Sequence, residues 1–484
     1  MTTNLFMPTN PRYQPKALQE YFGYDNLARF MVEVELAVME TLGNSDVGVI
    51  PAHEIALLTP EVKTKLYQIT TSEVDMVERE ITRHDVRALV RLMQERLPEP
   101  LRRWVHVPLT SYDVLDTARA LMFHRAHRDV VLPMLIRLVD ALREQVERYS
   151  EVPQIGRTHG QYALPITVGF WLAGILHRII TNADAVTNNA IALKGKISGA
   201  VGAYNAQVAL GIEGEKVRDF ELRVLRRLNI GRARIANQVV PPEPLSYYLF
   251  SCLMLSGALG QLGRDCRHLM RSEIAEVGEP FEKGQVGSST MAHKRNPITF
   301  ENLEGMWERS RAEFGKVLSL VITEHQRDLT GSSVARDLPA IVVNLTQQLS
   351  TLLREKDGVP FISRLSIDRD KVSSNLSAAG DQILAEPMYL LLQMHGYTGD
   401  AHEVVNHMAM PLINSQGSLL GAMDKVASVN PKVGEVWEQI PAEKKSLFAD
   451  PTQYVGLAAK KCKDILRDAG SFSEKWKKSL ENIS

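Results

Sequence analysis

Several short stretches gather side chains able to bind and protonate anionic carbon acids. From Gly287 the chain reads Gly-Ser-Ser-Thr-Met-Ala-His-Lys-Arg-Asn-Pro to Pro297, placing hydroxyls, an ammonium, a guanidinium and a carboxamide beside glycine-flanked backbone N–H groups. A surface loop needs turn formers, but not this density of donors, which suits a carboxylate or a developing oxyanion. The stretch from His325 to Arg336 carries Arg327, Ser332 and Arg336. Arginine's planar fork and serine's hydroxyl match phosphate oxygens, although surface ion pairing is the common fate of arginines on helical proteins. Thr110-Ser111 ahead of Asp113 reads most simply as a helix N-cap with a carboxylate favouring the helix N-terminus. His159, beside Gly160, would on its own be a structural or surface histidine.

These groups must be positioned by helices. Between Arg128 and Tyr149 the apolar residues Leu135, Leu138, Val139, Leu142 and Val146 follow the stripe of an amphipathic helix. Long helical stretches are expected over Val168–Ala185, Leu245–Met270, Gly305–Ile322 and Ile341–Leu353. Several are apolar on more than one side, as in Tyr247–Leu255, and such helices must be buried on most sides. Alternating strand patterns are scarce, so the fold class is mainly α. Three regions are expected: shorter, proline-broken helices over 1–112, long helices over 113–364, and shorter amphipathic segments over 365–484.

Bulk composition narrows the function. The 484 residues carry 56 Lys+Arg against 57 Asp+Glu, and this balance offers no bulk attraction for nucleic acid or an anionic membrane. Three cysteines, Cys252, Cys266 and Cys462, are too few and too irregularly spaced for a disulfide framework or a zinc site, and suit a reducing cytosol. The first residues lack the pattern of a signal peptide, and no long apolar run suggests a membrane span. A cytoplasmic location is therefore expected. No P-loop, GxGxxG, HExxH or CxxC occurs, so neither a nucleotide cofactor nor a metal is implied.

The stretch Gly287–Pro297 resembles the GSSxMPxKxNP signature of the fumarase/aspartase superfamily, with Ala292 where proline is usual. Members of that superfamily eliminate fumarate, or run a related cycloisomerisation, on succinyl-type substrates. Leu109–Thr117 (LTSYDVLDT) resembles its TSxDxxDT block, and Gly156–Gln161 (GRTHGQ) its GRTHG block. Within the superfamily, Arg12-Tyr13, Arg83-His84-Asp85-Val86 and the 325–336 stretch resemble segments of the adenylosuccinate lyases. Carboxymuconate cycloisomerases, argininosuccinate lyases and a catalytically silent homologue are the alternatives. Val107-Pro108, Asn237-Gln238 and the run Pro241–Leu245 depart from the adenylosuccinate lyase pattern, and the last lacks its basic residues.

The resemblance implies three mainly helical domains, with the central long helices of four subunits forming one core. It implies Ser288 as general base and His159 as general acid, with Lys294 and Glu301 supporting them. Glu301 would orient His159, although a helix N-terminal acid is its simpler reading. Lys294 and Asn296 would hold the substrate carboxylate, Thr110 and Ser111 the other end of the succinyl group, and Thr158 would also bind substrate. Arg83, His84, Asp85 and Gln238 would contact the substrate, and Arg12, Tyr13, Arg327, Ser332 and Arg336 would gather round a nucleotide phosphate.

Overall fold

A computed structural model of the protein describes residues 13–44, 46–212, 215–280, 290–291, 293–414 and 417–482. The helices that matter for the site are Leu27–Leu42 (α1), Asp85–Arg96 (α2), Ser111–Ala126 (α3), Leu132–Arg148 (α4), Val168–Ile191 (α5), Glu243–Leu269 (α6), Ile298–Leu318 (α7), Pro339–Leu352 (α8), Arg369–Ala378 (α9) and Ala458–Glu481 (α10). The chain is mainly α. The long helices pack in a bundle in which α6 lies against α5, α7 and α8, while α4 and α10 cover α5.

The apolar stripes account for these helices. Leu135, Leu138, Val139, Leu142 and Val146 of α4 are all buried, and a π-helical turn over His127–Val131 leads into that helix. Helix α7 begins at Ile298, earlier than the apolar period suggests. Its first turn is capped from a distance: the Glu279 carboxylate accepts the N–H groups of Thr299 (2.7 Å) and Phe300 (3.1 Å). Sequence periodicity carries no trace of such a tertiary cap. Helices α6 and α7 approach closely at Gly263, where a Cβ would lie 2.6 Å from the Phe300 carbonyl oxygen.

Among the described residues the strands are short and paired in twos. The longest pair is an antiparallel hairpin, Pro153–Thr158 (β1) and Gln161–Thr167 (β2). Its two-residue turn is His159-Gly160, with φ of 53° and 76°, the double left-handed conformation of a type I′ turn. Val277–Gly278 (β3) pairs with Ser366–Ile367 (β4).

One hydrophobic core runs continuously from Leu18 to Val372 and takes in Cys462, Ala469, Phe472 and Trp476 of α10. A second core, from Leu384 to Phe448, is separate. By length and composition α6 is the single described helix that could cross a membrane, and 56% of its most apolar window is buried inside the protein.

Candidate active site

The N-terminus of α3 is the best-anchored part of the site. Thr110 is its N-cap, and the Thr110 N–H donates to Asp113 Oδ2 at 2.8 Å. Asp113 is fully buried and also accepts from Lys196 Nζ (2.5 Å) and from the N–H groups of Ser198 (3.1 Å) and Gly199 (3.2 Å). The carboxylate that caps the helix therefore also ties down the 196–199 loop. Ser111, one residue into the helix, is left to face outward, its Oγ 3.5 Å from His84 Nε2.

His84 is the N-cap of α2 and follows Arg83, which sits in the left-handed region (φ 54°) after a π-helical turn over Glu78–Thr82. Single π-turns inside helices often mark functional sites. The His84 Nδ1 atom lies 3.3 Å from Asp85 Oδ1. Glu78 stands close by. Burial raises its carboxyl above the usual carboxylate range, helped by Asp85 and Asp75 and opposed by His84 and Arg336.

Beside Ser111 opens a cavity of about 750 Å³, lined by Tyr112, Asp116 and Arg119 of α3, by the 235–246 segment and by the 320–338 segment, Ser332 and Arg327 included. Arg327 Nη1 donates to Gln238 Oε1 at 3.0 Å, and its guanidinium lies over the Tyr112 ring, 3.4 Å from the centroid. Asp116 accepts from the Val240 N–H (2.9 Å) and from Arg119 (3.2 Å), holding the 237–242 segment on α3. Burial pushes the Asp116 carboxyl up, with Arg119 opposing. Pro241, Pro242, Glu243, Pro244 and Leu245 form a wall of this cavity, so the run that departs from the expected basic pattern faces the site.

The remaining residues stand elsewhere. Thr158 and His159 are exposed at the hairpin tip, while Lys294, Asn296 and Glu301 lie at the start of α7, where Lys294 and Glu301 are exposed. The two groups share one end of the bundle. Buried Glu276 accepts from Gln154 (2.7 Å) and Arg157 (2.6 Å) of β1 and from Asn375 (2.8 Å) of α9, and three residues on Glu279 caps α7. The Glu276 N–H in turn donates to the Leu269 carbonyl at the C-terminus of α6, at 3.0 Å. The cavity lies at the other end of that helix, beside Glu243. With 27 residues in α6 and a rise of about 1.5 Å per residue, the two ends are about 40 Å apart. Among the described residues no side-chain hydrogen bond or ion pair joins His159, Lys294, Asn296 or Glu301 to the α3 cluster. Tyr13 is half-buried, and Arg12 and Ser288 lie outside the described residues.

A sequence profile described as a lyase family matches residues 33–310, more than half of the chain. The chain belongs to this lyase family. Among its relatives, the adenylosuccinate lyase of Pyrococcus horikoshii is 31% identical over 95% of this chain and 97% of its own length. That of Archaeoglobus fulgidus is 30% identical over 95% and 98%. A fumarate lyase from Mesorhizobium sp. BNC1 shares the fold, with a TM-score of 0.77 at 22% identity over 95% of this chain and 99% of that one. The chain is thus an enzyme of the fumarase/aspartase superfamily, as the three signature blocks imply.

Tyr112, Asp116, Glu78 and Glu276 were not singled out from the sequence. Tyr112 and Asp116 lie within the TSYDVLDT block and could have been found there. Glu276 and Glu279 stand outside every motif, and only the packing of the hairpin and α7 against them reveals their part.

Proposed function

We propose that this lyase acts on adenylosuccinate, releasing fumarate and leaving AMP, and that it treats the succinyl-aminoimidazole-carboxamide ribotide likewise. The observation that carries this reading is the near-complete overlap with adenylosuccinate lyases at 31% identity. The cavity holding Arg327 and Ser332 together supports it, because a phosphate-bearing substrate needs such donors.

In the proposed reaction Ser288 Oγ, as alkoxide, takes the proton α to one carboxylate, and the carbanion is held as a dianionic aci-carboxylate. The C–N bond then breaks, and His159 gives a proton to the departing nitrogen as fumarate forms. Lys294 and Asn296 bind the carboxylate on which charge develops, and cationic and backbone donors lower the barrier by matching that charge. Glu301 orients His159. Thr110, Ser111, His84, Asp85, Thr158 and Arg83 surround the succinyl group, while Gln238, Arg12, Tyr13, Arg327, Ser332 and Arg336 hold the nucleotide.

This assignment requires more than one chain, because its residues lie at both ends of α6. A second copy running antiparallel would bring the hairpin and the α7 N-terminus of one chain to the cavity of another. On α6, Tyr247, Phe250 and Met254 are each about half exposed, and they lie along one face of the helix. We read that face as an intersubunit contact and the assembly as a homotetramer. The three cysteines are free and buried, in keeping with a cytoplasmic enzyme. Incubation with adenylosuccinate, followed by fumarate release and loss of ultraviolet absorbance, tests the reading; no fumarate from the purified tetramer overturns it.

A further inference from the structure

Arg327 sits on a non-helical stretch between α7 and the short helix Thr330–Val334, at the edge of a wide cavity. A long side chain on such a segment ordinarily samples many rotamers, and ordering it on binding weakens affinity. Here it is already ordered. With Cζ only 3.4 Å from the Tyr112 centroid, the guanidinium must lie flat on the ring, because an edge-on group would drive a nitrogen inside van der Waals contact. Stacking occupies the face and leaves the N–H groups in plane. Nη1 is held by Gln238 Oε1. Among the described residues Nη2 and Nε have no hydrogen-bond partner. The nearby carboxylates do not take them: Asp116 is engaged by Val240 and Arg119, and Asp328 by the N–H groups of Glu324 (3.1 Å) and Thr330 (2.7 Å).

We propose that Tyr112 is a positioning residue, a shelf whose ring, with Gln238 at one edge, holds the Arg327 fork ready for two oxygens of the substrate's phosphate. The inference rests on the adenylosuccinate reading above. It assigns to Tyr112 a role in selecting phosphorylated over unphosphorylated ligands, exercised through Arg327 and without contact to the reacting atoms. Tyr112 adjoins Ser111, so the same helix turn links the phosphate end of the site to the succinyl end.

The test compares Tyr112→Leu, which removes the ring, with Tyr112→Phe, which keeps it. KM and kcat are measured with adenylosuccinate, and inhibition constants with AMP and with adenosine. Tyr112→Leu should raise KM and the AMP inhibition constant about three- to thirtyfold, the range of a cation–π contact, with kcat within about threefold. Adenosine inhibition should be unchanged, and Tyr112→Phe should restore the AMP value to within about twofold. Equal losses for AMP and adenosine, or a Phe variant as impaired as Leu, would overturn the shelf. So would unchanged AMP inhibition in Tyr112→Leu. Absence of fumarate release in the wild type would instead remove the adenylosuccinate reading, and the shelf's phosphate role with it.

Discussion

Lys196 Nζ lies 2.5 Å from Asp113 Oδ1, and neither side chain is exposed to solvent. The pair closes the loop between α3 and the 196–199 segment, because Thr117 Oγ1 also donates to the Lys196 carbonyl (3.0 Å). Removing one partner of a buried pair strands a charge in a low-dielectric interior. Lys196→Met should therefore destabilise the protein by about 3–5 kcal/mol, read as a lowered midpoint in urea. Adding Asp113→Asn should recover part of that loss, since the stranded charge is then gone. A Lys196→Met midpoint equal to wild type would show that the pair contributes nothing.

The hairpin that carries His159 depends on Glu276, which is fully buried and engages Arg157, Gln154 and Asn375 at once. Glu276→Ala should loosen β1 and β2 before the rest of the molecule, because this one carboxylate joins Gln154 and Arg157 of β1 to Asn375 of α9. Hydrogen exchange of the 153–167 amides should speed up well beyond that of α6. Uniform acceleration throughout the chain would mean that Glu276 supports the whole bundle and has no special role for the hairpin.

Much of this architecture was legible in the sequence, and the reasons are physical. The helices α4, α5, α6 and α8 declare themselves because a 3.6-residue period leaves apolar stripes, and the observed ends fall within a few residues of the stripes except at the C-terminus of α5. The three signature blocks were legible because each packs its donors within a few residues. The hairpin was not, because β1, reading PQIGRT, shows no clean alternation, and its burial comes from α9 packing on it. Nor was the stacking of Arg327 on Tyr112 legible, since residues so far apart along the chain meet only through the fold. The early start of α7 likewise depends on Glu279, 20 residues before Thr299 in the chain.

Burial pushes His127 down to about 3 from its ordinary value near 6.5. The unfolded chain takes up this proton near pH 6.5 and the folded chain does not, so the contribution to stability is fully present above 6.5. It is lost progressively as pH falls toward 3. At pH 5 the loss should be about 2 kcal/mol. Urea midpoints of wild type and His127→Gln, compared at pH 7 and pH 5, isolate this group from other acid-sensitive residues. The variant should lose less between the two pH values; identical losses would remove His127 from the acid response.

Ser288→Ala should abolish fumarate release while leaving AMP inhibition and the melting temperature near wild type, because the proposed base acts on the reacting carbon and not on the nucleotide. The expected loss in kcat is about a hundred- to ten-thousandfold, the range for a positioned proton-transfer group. A variant that retains wild-type turnover would require another base.

The separation of the proposed residues along α6 makes a prediction that no single-chain site could satisfy. Arg327→Leu alters the cavity end, and Lys294→Met alters the opposite end, about 40 Å away along a helix of 27 residues. Each variant alone should be nearly inactive at adenylosuccinate concentrations near the wild-type KM, Arg327→Leu through a KM raised about ten- to hundredfold from losing a charged hydrogen bond, and Lys294→Met through kcat. When the two are unfolded together and refolded as a mixture, some sites will draw an intact cavity from one chain and an intact α7 N-terminus from its neighbour. Activity should then exceed that of either variant refolded alone, and with an affinity tag on one variant alone it should be retained with that tag. If the mixture is no more active than its parts, each site is built within one chain, and the antiparallel assembly is wrong.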